Sequence, residues 1–264
     1  MVTSSRLPAV FVGHGSPMNA LEDNTYTRCW REVAESLPLP KAILMVSAHW
    51  FHPGNTFYVG SAAQPETIYD FYGFPEALYQ LQYPAPGAPE RAHELLKRLQ
   101  TDTDLPVAED ADRGLDHGIW SILRFMYPNA EVPVYQLSLP QQASLADHVQ
   151  MAQQLAILRN EGVLVLGTGN VVHNLRTLQF GAAAFDWAKE FMEHCQELIA
   201  SRRWEAVAEL LVNPTQITRL AVPTPEHFLP LLYVLGAGQT TEPLQWFNED
   251  YALSSVSMHS LIVG

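Results

Sequence analysis

The chain has 264 residues, 47% apolar and 16% charged, a balance that suits a folded globule and excludes a disordered or coiled-coil chain. Fifteen Lys and Arg against 28 Asp and Glu leave a net charge of −13, which argues against non-specific binding to nucleic acid or to an anionic membrane. The two cysteines, Cys29 and Cys195, are too few for a disulfide framework or a four-thiolate zinc site and fit a reducing compartment.

Residues 1–6 lack the apolar core of a signal peptide, and no run approaches the roughly 18–20 apolar residues of a membrane helix. A cytoplasmic location is the expectation. No repeat, low-complexity tract or linker divides the chain, so residues 1–264 are expected to form one domain.

In chain order, the apolar run 9–12 reads as a buried strand and leads into Gly13-His14-Gly15-Ser16-Pro17. The glycines permit a sharp turn, and Pro17 blocks continuation of the strand, so His14 is presented at a strand end. A helix is expected over 25–35, then a strand over 42–46 that runs into Ser47-Ala48-His49-Trp50. The pattern repeats: an apolar strand, then a histidine at its carboxyl end. A short strand at 57–60 and helices at 76–80 and 89–99 follow.

Leu115-Asp116-His117-Gly118 precedes a helix over 119–126, where Asp116 either caps the helix or orients His117. A strand is expected over 132–139 and a helix over 144–159. The strand 163–166 then enters Gly167-Thr168-Gly169-Asn170-Val171-Val172-His173, a tight turn that delivers His173. It lacks the third glycine of a dinucleotide fingerprint and the Lys of a P-loop. Helices at 185–199 and 203–211 precede Pro223-Thr224-Pro225-Glu226-His227-Phe228. There Thr224 is the expected N-cap of a helix over 225–235, with Glu226 and His227 in its first turn. A last strand is expected over 255–263. His93, His148 and His194 lie in charged helical patterns and read as solvated, whereas His259 reads as core.

Strands alternating with helices imply an α/β fold, a mainly parallel or mixed sheet covered by helices on both faces. Sites in such sheets lie at the carboxyl ends of strands, where His14, His49 and His173 fall. With His117 and His227 they suggest a mononuclear metal site assembled from distant segments. Imidazole donors fit Zn²⁺ or Fe²⁺ better than Mg²⁺ or Ca²⁺.

These motifs occur in order with Tyr69-Asp70-Phe71-Tyr72-Gly73-Phe74-Pro75, Tyr127-Pro128, Gln136-Leu137-Ser138, His173-Asn174-Leu175-Arg176 and Pro225-Glu226-His227-Phe228-Leu229-Pro230-Leu231. Over nearly the whole chain the set resembles the class III extradiol ring-cleaving dioxygenases, in their 4,5-DOPA dioxygenase-like branch. The resemblance implies a single α/β domain with one mononuclear metal, Fe²⁺ for activity, with zinc found in some members. The substrates are a small catechol, cleaved beside rather than between its hydroxyls, and O₂.

His14 and His49 match the first two metal ligands. His227 matches the third, where better-known relatives supply a carboxylate; the neighbouring Glu226 would point about 100° around a helix from it. His173 matches the acid/base histidine, or a fourth ligand with zinc bound, and His117 a second pocket histidine. Tyr72, Trp50 and Phe228 are candidates to stack on a ring, and Arg176 to pair a substrate carboxylate or form a structural salt bridge. The competing readings are a zinc hydrolase on the same histidines, with Glu226 or Asp116 as general base, and a non-catalytic metal-binding relative.

Overall fold

Residues 6–264 are described by a computed structural model; the reading of the first residues lies almost wholly outside them. The strands are β1 (Ala9–Gly13), β2 (Ala42–Ser47), β3 (Phe51–His52), β4 (Phe57–Gly60), β5 (Val107–Asp110), β6 (Val134–Leu137), β7 (Leu139–Pro140), β8 (Val163–Gly169), β9 (Leu244–Phe247), β10 (Tyr251–Ala252), β11 (Val256–Ser257) and β12 (Ser260–Val263). Eight of them form one sheet in the order β5-β4-β6-β2-β8-β1-β12-β9. The four central strands, β6, β2, β8 and β1, are mutually parallel, and antiparallel pairs join β4 to β6, β12 to β1 and β9 to β12.

The central strands read as unbroken apolar runs because both of their faces are buried. Side chains alternate between the faces. Ala9, Phe11, Leu44, Val46 and Val165 enter one core, whereas Val10, Val12, Ile43, Met45 and Leu166 enter the other. The helices are α1 (Thr25–Ser36), α2 (Glu76–Tyr79), α3 (Pro89–Asp102), α4 (His117–Met126), α5 (Leu145–Gln154), α6 (Asp186–Ala200), α7 (Trp204–Val212), α8 (Gln216–Ala221) and α9 (Leu229–Ala237). The helices α3, α5, α6, α7 and α9 cover the first face, and α1 and α4 the second. The expected α/β architecture with helices on both faces is therefore present. Among the described residues, no helix is long and apolar enough to cross a membrane.

Four expected elements break where the backbone finds other partners. The strand over 132–139 splits because Ser138 N–H donates to Tyr58 O (2.9 Å) and Leu139 N–H to Trp50 O (2.9 Å), drawing β7 away to β3. The strand over 255–263 splits at Met258, whose N–H donates to Asp250 O at 2.8 Å. The helix over 144–159 tightens into a 3₁₀ segment, Leu155–Glu161, ended by left-handed Gly162 (φ 82°). The helix at 225–235 begins only at Leu229, and residues 225–228 form a turn.

His148 corrects its expected solvated placement. It is buried, packs edge-on against Phe57, and its Nδ1 lies 2.8 Å from the Tyr233 hydroxyl. Burial lowers its pKa to about 4, against an ordinary 6.5. As pH falls, the unfolded chain takes up this proton before the folded one. The contribution is therefore complete above pH 6.5 and lost as pH drops towards 4, a change of about 3 kcal/mol. Urea unfolding of wild type and His148→Gln across this window is expected to give a flatter stability profile for the variant. Parallel profiles would refute the assignment.

Candidate metal centre and its cavity

The carboxyl ends of the adjacent strands β1, β8 and β2 open on one side of the sheet. His14 follows β1 directly, its N–H donating to Gly169 O at 3.2 Å. His49 stands two residues beyond β2. Its N–H donates to Ser47 Oγ at 3.1 Å, and its carbonyl accepts from Arg113 at 3.1 Å. His117 is the first residue of α4. His173 lies beyond β8, where its N–H donates to Ala221 O at 2.9 Å.

His227 is brought in by its main chain. Its carbonyl accepts from Asn170 N at 2.9 Å, which holds the 225–228 turn against the end of β8 and keeps it out of the helix. Gly169 permits the approach, because a Cβ there would collide with the His227 carbonyl. Gly169→Ala is therefore expected to displace His227 and weaken metal retention, measured as bound metal per chain after dialysis. Full retention would show that the turn adjusts without cost.

All five histidines line one cavity of about 300 Å³. Its other walls include Asp70 and the apolar side chains of Phe71, Phe74, Leu178, Leu253 and Val256. Ring centroids of His14, His49 and His227 are 5.0, 5.1 and 5.4 Å apart. His117 faces His49 at 4.0 Å. His173 stacks on His227 at 3.5 Å with 8° between the planes. Candidate ligand atoms of His14, His49 and His117 lie within 4.8 Å of one another, as do those of His173, Glu226 and His227.

The donors fit a metal. His14 Nδ1 lies 3.0 Å from Thr168 Oγ1 and His49 Nδ1 lies 3.1 Å from Asp70 Oδ2. Both rings thus engage an oxygen through Nδ1, and their Nε2 atoms face each other at 3.1 Å. Two imidazole nitrogens so placed need a proton or a cation between them. With metal–nitrogen bonds of about 2.0–2.1 Å, that separation subtends about 100° at a shared ion, an ordinary ligand angle. His227 Nδ1 likewise lies on an oxygen side, 3.4 Å from Glu226 Oε1.

Burial, reinforced by the neighbouring imidazoles, holds His14 and His227 well below the ordinary histidine pKa. Burial lowers His173 to about 4. These are neutral imidazoles, the state that a metal or a general base requires. Burial also pushes His49 down, but its hydrogen bond to Asp70 and the charges of Asp116, Asp70 and Glu226 raise it overall.

Asp70 lines the cavity and contacts two of its histidines, a carboxylate that the sequence reading left without a role. Its Oδ2 takes His49 Nδ1. Its Oδ1 accepts the His117 N–H at 2.9 Å and lies 3.0 Å from His117 Nδ1. Burial raises its pKa, but the hydrogen bonds from His117 and His49 outweigh that and hold it well below the usual carboxylate range. The signal was a lone carboxylate inside the aromatic run 69–74.

Asp116 neither orients His117 nor makes a side-chain cap, although it occupies the N-cap position of α4. It is fully buried, accepts from Ser47 Oγ at 2.7 Å and pairs with Arg113 at 3.1 Å. With both oxygens engaged, it is not a free general base. Glu226, the other candidate base, accepts from Thr224 Oγ1 at 2.7 Å.

The expected substrate contacts fall elsewhere. Tyr72 is 92% exposed, and it is the flanking Phe71 and Phe74 that enter the cavity. Trp50 is buried beneath Arg113, whose guanidinium sits 5.4 Å from its ring. Phe228 is core, packed near Phe191. Arg176 is exposed and outside the cavity lining, and no ion pair to it is formed among the described residues. Its neighbours Leu175 and Leu178 line the cavity instead.

A cluster of strand-end histidines in a small apolar cavity is a centre suited to metal-dependent chemistry on an aromatic molecule. Residues 7–263 match the family described as the catalytic LigB subunit of aromatic ring-opening dioxygenase. The chain belongs to this family and is an extradiol ring-opening dioxygenase of class III. It is 45% identical to 4,5-DOPA dioxygenase extradiol of Escherichia coli (strain K12), over 100% of this chain and 97% of that protein. It is 38% identical to the Beta vulgaris protein of the same name, over 86% of this chain and 85% of that one. The crystal structure of an uncharacterized Escherichia coli K12 protein is similar at a TM-score of 0.84 and 40% identity, covering 98% of this chain and 100% of that one.

Proposed function

We propose that the chain opens the ring of a small, DOPA-like catechol with O₂, beside its two hydroxyls, at one metal held by His14, His49 and His227. The carrying observation is the meeting of His14 and His49 through their Nε2 atoms at 3.1 Å, with three more histidines around one apolar cavity. The near-equal ring separations of His14, His49 and His227 support His227 as third ligand. When bound, ferrous iron supplies Lewis acidity and a redox partner for O₂, whereas zinc supplies the first alone.

The chain's own part is proton handling and shape. His173, neutral and half-buried, takes one catechol hydroxyl proton and later returns it. Its stacking on His227 supports this role over that of a fourth ligand. In-plane lone pairs on parallel rings run side by side and do not converge on one ion. His117, steadied by Asp70 through its backbone N–H, orients the oxygen co-substrate or donates to it. Phe71, Phe74, Leu178 and Val256 press on the ring faces and exclude water.

Anaerobic loading with Fe²⁺, followed by O₂ uptake and visible absorbance with DOPA and other catechols, tests the proposal. The expected result is oxygen consumption with a yellow ring-opened product, abolished in His14→Ala. Tightly held metal with no oxygen uptake on any catechol would overturn it.

A further inference from the structure

We infer that Thr168 is a positioning residue that fixes the tautomer of His14 and so decides which of its ring nitrogens faces the metal. This rests on the reading of His14 as a metal ligand. Thr168 is the sixth residue of β8 and completely buried. Its main chain is held between Val12 of β1 and Ser47 of β2. Its hydroxyl points out of the sheet to the start of α4, where it donates to Gly118 O at 2.9 Å.

A carbonyl oxygen can only accept, so the single hydroxyl hydrogen of Thr168 is spent there. The same Oγ1 lies 3.0 Å from His14 Nδ1. With its hydrogen committed, Oγ1 offers that nitrogen only lone pairs, so Nδ1 must carry the N–H. A neutral imidazole protonated on Nδ1 has its lone pair on Nε2. That is the atom 3.1 Å from His49 Nε2. The hydroxyl thus relays the Gly118 carbonyl into a choice of donor atom on His14.

The side chain does this independently of the backbone. Gly169 O still receives His14 N–H, and Thr168 O still receives Ala48 N–H at 3.0 Å, whatever stands at position 168. Without the hydroxyl, His14 Nδ1–H is left in a buried site without its acceptor. Moving the proton to Nε2 relieves this, and the ring then presents an N–H where a lone pair is needed.

The test compares Thr168→Val, which keeps the branched shape, with Thr168→Ser, which keeps the hydroxyl. Full-length zinc-loaded chains are titrated with a competing chelator, and the His14 ring nitrogens are followed by ¹⁵N NMR of histidine-labelled protein. Thr168→Val is expected to weaken zinc binding about 10–100-fold. It should also lose the signature of an Nδ1-protonated, Nε2-ligated His14. Thr168→Ser is expected to restore both to near the wild-type values. If Thr168→Val does not fold, Thr168→Ala takes its place with the same expectation.

Wild-type zinc affinity in the variant lacking the hydroxyl would overturn the inference. So would a serine variant as weak as the valine one, which would make Thr168 a packing residue. The wild-type titration reports separately on the metal site itself. Failure of the parent chain to bind zinc would sink the underlying reading, whereas equal binding by parent and variants would sink only the role of Thr168.

Discussion

His173→Gln, loaded with ferrous iron, is expected to keep its metal and lose about 10²–10⁴-fold in kcat. The expectation follows from where the ring sits. The backbone of His173 is tied to Ala221 O at 2.9 Å and pairs with Val256, so the substitution leaves the segment in place. Burial keeps the imidazole neutral, ready to accept a proton. Its stacked neighbour His227 takes no proton in this scheme, because its own lone pair is given to the metal. Glutamine preserves a polar group of similar reach and cannot take up a proton at neutral pH. Metal content near that of wild type with slow turnover separates proton transfer from ligation. Metal loss as severe as in His14→Ala would make His173 a ligand, and undiminished turnover would remove it from the chemistry.

The parts of the site legible in the sequence share one physical cause. A strand buried on both faces must be apolar throughout, so the polar residue that ends it stands out. His14 after β1 and His49 after β2 are visible for that reason, and with them the parallel centre of the sheet. The edges are not. The strand β5 carries Glu109 and Asp110 because it is an edge strand, and acidic residues read as loop when the pairing partner is unknown.

His227 was visible as a histidine but not in its setting. Thr224 and Pro225 satisfy the local rules for a helix start, and only the long-range bond from Asn170 to the His227 carbonyl overrides them. Residues 71–74 fail for a related reason. Nothing local says that Phe71 and Phe74 turn inward and Tyr72 outward, because an irregular loop has no period from which facing can be read. The resemblance to a family assigned roles to the histidines, but did not point to the oxygens that face their Nδ1 atoms.

Asp70→Asn should expose how much those oxygens matter, with metal affinity expected to fall about 100-fold where the asparagine oxygen turns to His117. One carboxylate serves two imidazoles. Oδ2 faces His49 Nδ1 at 3.1 Å, and Oδ1 lies 3.0 Å from His117 Nδ1 while also accepting the His117 N–H. Asparagine has one acceptor oxygen and one donor NH₂. If its oxygen turns to His117, the NH₂ meets His49 Nδ1–H donor to donor; if it turns to His49, the His117 N–H loses its acceptor. In the first orientation His49 is pushed to the tautomer that hides its Nε2 lone pair. In the second the start of α4 loosens, and His117 moves with it.

The two orientations predict different losses. The first lowers metal affinity and, through it, turnover. The second leaves the metal bound and lowers kcat alone. Chelator competition measured beside kcat on the fully loaded enzyme tells them apart. Wild-type affinity together with wild-type kcat would reduce Asp70 to an acceptor for one backbone N–H. The negative charge adds to the effect, since with the more distant charges of Asp116 and Glu226 it favours a cation between His14 and His49. The Asp70 carboxylate and the Thr168 hydroxyl thus stand at the Nδ1 atoms of two rings, His49 and His14, whose Nε2 atoms face each other.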